Sequence, residues 1–244
     1  TCALPISKFA AGAPALVTGA EALLRWNHPE RGFLAPDLFI PLAERSRLIL
    51  PIGQWVLDQA CAQLRRWHDA GYPHWSMAVN LSPVQFTDSE LPRLVADTLQ
   101  RHRIPADRLT LEITETTAMK DVDASLAILS ALTALGVRIS IDDFGTGYSS
   151  LLYLKRMPAS ELKIDRAFVR DLVHGAEDAA IVSSIIALGR TLNLRIVAEG
   201  VETREQQAYL SELGCDSLQG YHLGRPMDAA RFLDAAGHGA SSPG

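Results

Sequence analysis

Glu21, Asn80, Glu112, Asp142, Asp143 and Glu199 share one chemical property and one kind of position in this 244-residue chain. Each carries a carboxylate or amide oxygen, and each falls at or near the end of a short apolar run that reads as a β-strand. Oxygen donors with no His or Cys among them suit a hard divalent cation, Mg²⁺ or Mn²⁺, rather than zinc. The most informative stretch runs from Val137 through Ile139 and Ile141, which alternate into a strand, to the adjacent acids Asp142 and Asp143 and the loop Phe144-Gly145-Thr146-Gly147-Tyr148. Neighbouring acids point to opposite sides of the chain, so one could bridge two ions while the other binds a single ion. Two ions about 3.5–4 Å apart are an arrangement that hydrolyses phosphodiesters. Any one of these acids alone would read as a solvated loop carboxylate or a helix cap. Their recurrence at successive strand ends carries the catalytic reading.

Lys163 adds a positive charge to this set. Aimed into the same mouth, it could orient or deprotonate an attacking water or offset charge on a phosphate. Lys163 and Asp165 lie two apart on one predicted strand and so share a face, which leaves a structural ion pair between them as the alternative. The G-x-G of the loop lacks the third glycine and the downstream acid of a dinucleotide fingerprint. It reads instead as a tight loop that lets backbone come close to a phosphate. Glu115 either holds that loop by accepting hydrogen bonds from its hydroxyls or amides, or caps the next helix. The seven histidines show no ligand spacing, and Trp55 and Trp67, on one predicted helix, read as core packing.

Such groups converge only if many strands deliver them to one end of a sheet. Strands are predicted near 15–24, 76–81, 109–114, 137–142, 160–164, 194–199 and 216–221. Helices are predicted at 36–47, 52–70, 89–103, 121–135, 149–156, 176–192, 203–213 and 228–235. Thr203 with Gln206 forms a possible capping box, and Gly71, Gly136 and Gly214 stand where helices should stop. Alternation of this kind predicts parallel βα units, and seven or eight of them in 244 residues favour a barrel over an open doubly wound sheet. The tail 237–244 is expected to be disordered.

With 48 % hydrophobic and 21 % charged residues the chain is an ordinary globular domain, and its net charge of -5 argues against a nucleic-acid coat or a polybasic membrane anchor. A small partner fits better than a polymeric one. The three cysteines, Cys2, Cys61 and Cys215, have no CxxC spacing, so neither a disulfide framework nor a thiolate zinc site is suggested, and a reducing cytoplasm is expected. No apolar run approaches the roughly 18 residues of a membrane span. The segment 1–20 carries only Lys8 as a charge but lacks the basic start of a secretory leader, and Pro5 and Pro14 interrupt it. A first residue of Thr reads as a fragment cut from a longer protein.

The motifs Glu21-Ala22-Leu23 with Leu24-Arg25-Trp26, Val79-Asn80-Leu81-Ser82, Glu112-Ile-Thr-Glu115, Asp142-Asp143-Phe-Gly-Thr-Gly-Tyr148, Lys163-Ile-Asp165, Glu199-Gly-Val-Glu202 and Gln219-Gly-Tyr221 resemble, in order and spacing, those of the EAL domain family, bacterial phosphodiesterases of cyclic di-GMP. The resemblance runs from about Gly19 to Met227. It implies an α/β fold, a modified (β/α)8 TIM-like barrel with an antiparallel first strand over 1–236, with 1–18 as an atypical first-strand region. It also implies hydrolysis of cyclic di-GMP to linear pGpG with two Mg²⁺ or Mn²⁺ ions, Ca²⁺ being inhibitory. Glu21, Asn80, Glu112 and Asp142 would hold one ion, and Asp142, Asp143 and Glu199 the second. Lys163 and Gln219 would join Glu21 and Glu199 in catalysis, and Leu24, Arg25, Asp165 and Pro226 would contact substrate. Glu115 would anchor the loop after Asp143. A homodimer and upstream sensory or GGDEF domains in a longer protein, cytoplasmic or attached to a membrane through other segments, are the partners implied. The chain departs from the pattern at Leu4, where the family's substrate-touching Gln is expected. A non-hydrolytic cyclic di-GMP receptor is the alternative function, although such members typically lose metal acids that are all present here.

Overall fold

The structure, a computed structural model, describes residues 2–146, 151–173 and 175–239, without the side chains of 2–4, 14, 15 and 235–239. Nine strands, β1 (Cys2–Ala10), β2 (Ala13–His28), β3 (Gly32–Leu34), β4 (Ser76–Asn80), β5 (Leu109–Thr114), β6 (Arg138–Phe144), β7 (Glu161–Ile164), β8 (Arg195–Ala198) and β9 (Ser217–Leu218), form one sheet. Their order is β1-β9-β8-β7-β6-β5-β4-β2-β3, and an additional β1–β2 pairing closes it. Since β3 only extends β2 as a hairpin, the ring itself has eight strands. From β2 through β4 to β9 neighbours run parallel, whereas β1 is antiparallel to both β2 and β9. This is the expected barrel with its reversed first strand.

Eleven helices are described: α1 (Pro36–Arg45), α2 (Ile49–Asp69), α3 (Pro83–Phe86), α4 (Leu91–His102), α5 (Glu115–Lys120), α6 (Val122–Ala134), α7 (Leu151–Arg156), α8 (Arg166–Arg170), α9 (Ala176–Thr191), α10 (Arg204–Leu213) and α11 (Ala229–Gly239). A strand inside such a barrel is covered on both faces, which is why β5 is buried along nearly its whole length. Its odd positions, Leu109, Leu111 and Ile113, join the hydrophobic core, while Thr110 and Glu112 occupy the opposite face. Each fully buried aliphatic side chain contributes about 1.5–3 kcal/mol relative to exposure. At the N-terminal end of β4, Trp75 packs edge-on to Trp67 of α2, and Phe232 of α11 stacks on Trp67 at 4.5 Å. Trp67 is thus core as expected, but Trp55 lies on the outer face of α2 and is 36 % exposed.

The largest difference from the sequence reading is at the N-terminus. Instead of one atypical segment before a strand at 15–24, β1 and β2 form a long antiparallel pair joined through Ala11-Gly12, with Lys8 opposite Gly19 and Ile6 opposite Glu21. The short elements β3, α3, α5 and α8 were not expected, because three to six residues carry no periodicity. The last helix continues to Gly239, past the predicted start of the tail at 237, and 240–244 lie outside the described residues. The capping box of α10 forms as read, and Gly214 ends that helix at φ +85°.

Candidate active site

The parallel strands β2 and β4 to β9 bring the predicted site residues to the C-terminal mouth of the barrel. Glu21 lies on β2 and Asn80 ends β4; Glu112 lies on β5 and Asp142 and Asp143 on β6; Lys163 lies on β7, while Glu199 and Gln219 directly follow β8 and β9. The centre of the group is Lys163, only 1 % exposed. Its Nζ stands 2.6 Å from Glu199 Oε1, 2.9 Å from Glu112 Oε2, 3.2 Å from Asp142 Oδ2 and 3.6 Å from Glu21 Oε2. Residues scattered over about 180 positions of sequence therefore meet around one ammonium. Glu21 is held further by Asn80 Nδ2, which donates to its Oε1 at 2.6 Å, and by Gln219 Nε2, which donates to its Oε2 at 2.6 Å.

Four carboxylates against one ammonium leave a surplus of negative charge in a buried place. Burial and the nearby Glu21 raise the Glu112 carboxyl well above the usual range, with Lys163 only partly opposing them. Burial pushes Glu199 up to about 7, Lys163 opposing and Asp142 reinforcing. Glu21 goes the other way: burial would raise it, but Lys163 and the hydrogen bonds from Gln219 and Asn80 outweigh burial and hold it below the ordinary range. Lys163 itself is raised, because Glu112, Glu199, Glu21 and Asp142 overcome the burial that favours its neutral form.

Asp143 does not join the ring around Lys163. It adopts a left-handed backbone, φ 54°, which a non-glycine residue takes at a cost, and its carboxyl lies near that of Asp165. Burial, then the adjacent Asp142, push it up to about 6. Asp165 stands outside β7 as the N-cap of α8, accepting from the Ala167 N–H at 2.7 Å. The alternative of a Lys163–Asp165 ion pair is not what forms: Lys163 pairs with Glu199, Glu112, Asp142 and Glu21, while the Asp165 carboxylate turns to the α8 backbone. In the loop beyond, Gly145 turns at φ +96° and donates its N–H to Glu115 Oε2 at 2.8 Å. Glu115 therefore reaches the loop while also opening α5, whose cap is Thr114. Gly147 and Tyr148 lie outside the described residues, as does the side chain of Leu4.

A cleft of about 220 Å³ opens over Glu21, Asp142, Lys163, Glu199 and Gln219, and is walled by Ile6, Arg166, Glu202, Tyr221 and Pro226. Among the described side chains of β1, Ile6, opposite Glu21, lines this cleft. An adjacent, more apolar cavity of about 400 Å³ is lined by Leu24, Arg25, Ile40, Ile52, Asn80 and Pro83 among others. The predicted substrate residues thus divide, with Pro226 in the first cavity, Leu24 and Arg25 in the second, and Asp165 bordering Asp143. Glu202 and Tyr221 were read only as motif ends with no role of their own, and Arg166 was not singled out; their signal was position, each within three residues of a predicted site residue.

The acids do not stand as a preformed cage: among the described residues no three of them are spaced to hold a metal ion, since Lys163 occupies the point on which they converge. The donor set nevertheless fits a divalent cation. It consists of oxygen alone, it carries uncompensated charge, and Glu112 Oε1 is buried without a hydrogen-bond partner.

A closed α/β barrel whose C-terminal mouth gathers acids from successive strands is the architecture of barrel enzymes as a class. The particular family follows from comparison: the EAL domain model matches residues 5–226, and the chain belongs to the EAL domain family. It is 62 % identical over 215 residues, 88 % of its length, to MucR of Pseudomonas aeruginosa, a bifunctional diguanylate cyclase/cyclic di-GMP phosphodiesterase, of which this covers 31 %. NbdA of the same organism, a cyclic di-GMP phosphodiesterase, is 43 % identical over 91 % of the chain and 29 % of that protein. The chain thus spans about a third of the length of these curated relatives. Among solved structures, the MucR phosphodiesterase in its cyclic di-GMP complex superposes with a TM-score of 0.91 at 59 % identity, covering 95 % of this chain and 93 % of that one. The EAL enzyme Bd1971, bound to cAMP and cyclic di-GMP, gives 0.91 at 37 % identity over 96 % of this chain and 64 % of that one.

Proposed function

We propose that this chain is a divalent-metal-dependent phosphodiesterase domain, spanning 1–236, that hydrolyses cyclic di-GMP to linear pGpG. The observation that carries this reading is the convergence of Glu21, Glu112, Asp142 and Glu199 on Lys163 at the barrel mouth. It is supported by likeness to a phosphodiesterase structure that contains cyclic di-GMP. In the reaction, water forms a new bond to phosphorus and one ring phosphorus–O3′ bond breaks; a water proton ends on the released 3′-oxygen, opening the ring.

Glu21, Asn80, Glu112 and Asp142 would hold one ion, Mg²⁺ or Mn²⁺, and Asp142, Asp143 and Glu199 a second. Bound there, the ions would acidify a water and offset charge developing on the phosphate. The protein's own groups set the rest. Lys163 presents a fixed positive charge where the attacking water and the phosphate oxygens must meet, a stabilisation strengthened by its dry surroundings. Gln219 and Asn80 lock the Glu21 carboxylate by donating to its two oxygens. Glu115 fixes the turn at Gly145 and so the direction in which Asp143 leaves the strand. Leu24 and Arg25 on one side, and Pro226 with Tyr221 on the other, offer flanking cavities for the two halves of a dinucleotide.

A homodimer, and sensory or GGDEF domains on a longer polypeptide, are further parts of the reading; the second is supported by MucR, which is a bifunctional diguanylate cyclase/cyclic di-GMP phosphodiesterase and much longer than this chain. Among the described residues no helix is long and apolar enough to cross a membrane, and a cytoplasmic domain, attached to a membrane only through other segments, is the reading proposed. Incubation of the protein with cyclic di-GMP and Mg²⁺ or Mn²⁺ is expected to release pGpG, with Ca²⁺ supporting binding but no turnover, and Glu21→Ala is expected to abolish release. Tight binding with full recovery of intact ligand in Mg²⁺ and Mn²⁺ would mark a receptor instead.

A further inference from the structure

A second charged pair lies inside the barrel, beneath the acids. Lys8 of β1 and Glu161 of β7 are 6 % and 7 % exposed, and their side chains meet at 2.7 Å, Nζ to Oε1. Glu161 stands two residues before Lys163 on the same strand, so the two side chains leave the same face about 6.6 Å apart along it. That separation is within the reach of a lysine side chain. On the other side of Glu161, Ser140 of β6 sits in register between it and Glu112 of β5. Ser140 Oγ, Ser217 Oγ and Glu112 Oε1 are all buried without partners, and the Lys163 charge is felt at Glu161, so the two layers lie within electrostatic reach of each other. Lys163 therefore has a fifth carboxylate available to it, directed away from the mouth. It does not take it: its contacts are to Glu199, Glu112, Asp142 and Glu21, and Lys8 holds Glu161.

We propose that Lys8 and Glu161 form a positioning pair: Lys8 sequesters the Glu161 carboxylate so that Lys163 points up to the substrate-facing acids, and Glu161 in turn keeps the Lys8 ammonium away from Glu112 and Glu21. Each partner cancels a competitor that the other would become. Neither Lys8 nor Glu161 is among the residues that would hold the ions or line the substrate cavities, and the pair's role in turnover rests on the phosphodiesterase reading above. A purely structural role makes a different forecast, because a buried pair can be replaced by apolar side chains of similar volume with little loss of stability, whereas removing one partner strands a charge.

The variants Lys8→Met, Glu161→Gln and Lys8→Met/Glu161→Gln separate these forecasts, each compared with wild type by thermal melting, by kcat and KM for cyclic di-GMP, and by calorimetric titration of the metal-free protein with Mn²⁺. Lys8→Met should lower kcat at least tenfold with KM within threefold, as Lys163 turns down to Glu161. Glu161→Gln should weaken Mn²⁺ binding at least tenfold, as the released Lys8 pairs with Glu112. The double variant should recover kcat and Mn²⁺ affinity to within threefold of wild type. Single variants that melt lower yet keep kcat and Mn²⁺ affinity, or a double variant as impaired as the singles, would overturn the proposal. Should Lys8→Met fail to melt cooperatively, the Mn²⁺ titrations of Glu161→Gln and the double variant decide it. A wild type that hydrolyses nothing defeats the phosphodiesterase reading and leaves those titrations to judge the pair alone.

Discussion

Lys163 is the residue on which the acids of four strands depend, and its removal should separate binding from turnover. Lys163→Met is expected to lower kcat by roughly 10²–10⁴-fold, the usual worth of a positioned group acting on the transition state, while the Kd for cyclic di-GMP measured in Ca²⁺ stays within about threefold. Equal losses in both would show a group that only shapes the pocket. At this scale the sequence was most readable where a charged residue closed an apolar run, because burying a charge beside apolar residues is costly unless the fold provides partners. Glu112, Asp142 and Glu199 announced themselves in that way and Glu21 lay near such an end, whereas Lys163 stood out as a lone cation inside the run Leu162-Lys163-Ile164-Asp165. The ion pair that spacing alone allowed between Lys163 and Asp165 does not form, since Asp165 caps α8 instead. The Lys8–Glu161 pair escaped notice because its members stand 153 positions apart and no local pattern links them.

Among the elements, α2 and α4 are joined by a clamp that pH should test. Asp58 on α2 takes hydrogen bonds from His102 at 2.8 Å and Arg101 at 2.6 Å, both on the last turn of α4. The hydrogen bond from His102 holds the Asp58 carboxyl below its usual range, burial opposing weakly and Arg101 helping. A carboxyl lowered on folding adds stability that is complete above its unfolded value, about 3.9, and is lost as pH falls through the folded one. With 30 % of the Asp58 side chain and 55 % of the Arg101 side chain exposed, solvent screening limits the effect to less than about 1 kcal/mol. Asp58→Asn should therefore lower Tm by no more than about 2–4 °C at pH 7, and the difference from wild type should shrink steadily as pH falls below about 3.9. A gap that widens in acid would reverse the sign of the argument. The long amphipathic helices and apolar strands were legible for the same reason that this clamp was not: periodicity reports burial, whereas a contact between two helices depends on how they pack.

For the whole molecule, closure of the barrel decides what solvent reaches. Cys61 and Cys215 are free and buried, and burial pushes both thiols up to about 12. Alkylation of these two positions by iodoacetamide at pH 8, followed by peptide mass mapping, should proceed only at the rate of unfolding and accelerate sharply near the denaturation midpoint. Fast labelling of either under native conditions would mean that the wall opens locally. By itself the sequence determined the alternation of strands and helices, the antiparallel start implied by family resemblance, and the chemical character of the site, since these follow from local polarity and ordered motifs. Tertiary structure alone decided that β1 closes the ring against β9, that Lys163 rather than an open space occupies the point where the acids converge, and that Lys8 lies across from Glu161. Those outcomes depend on the stagger with which eight strands close, and a stagger is a property of all the strands together, written in no single one of them.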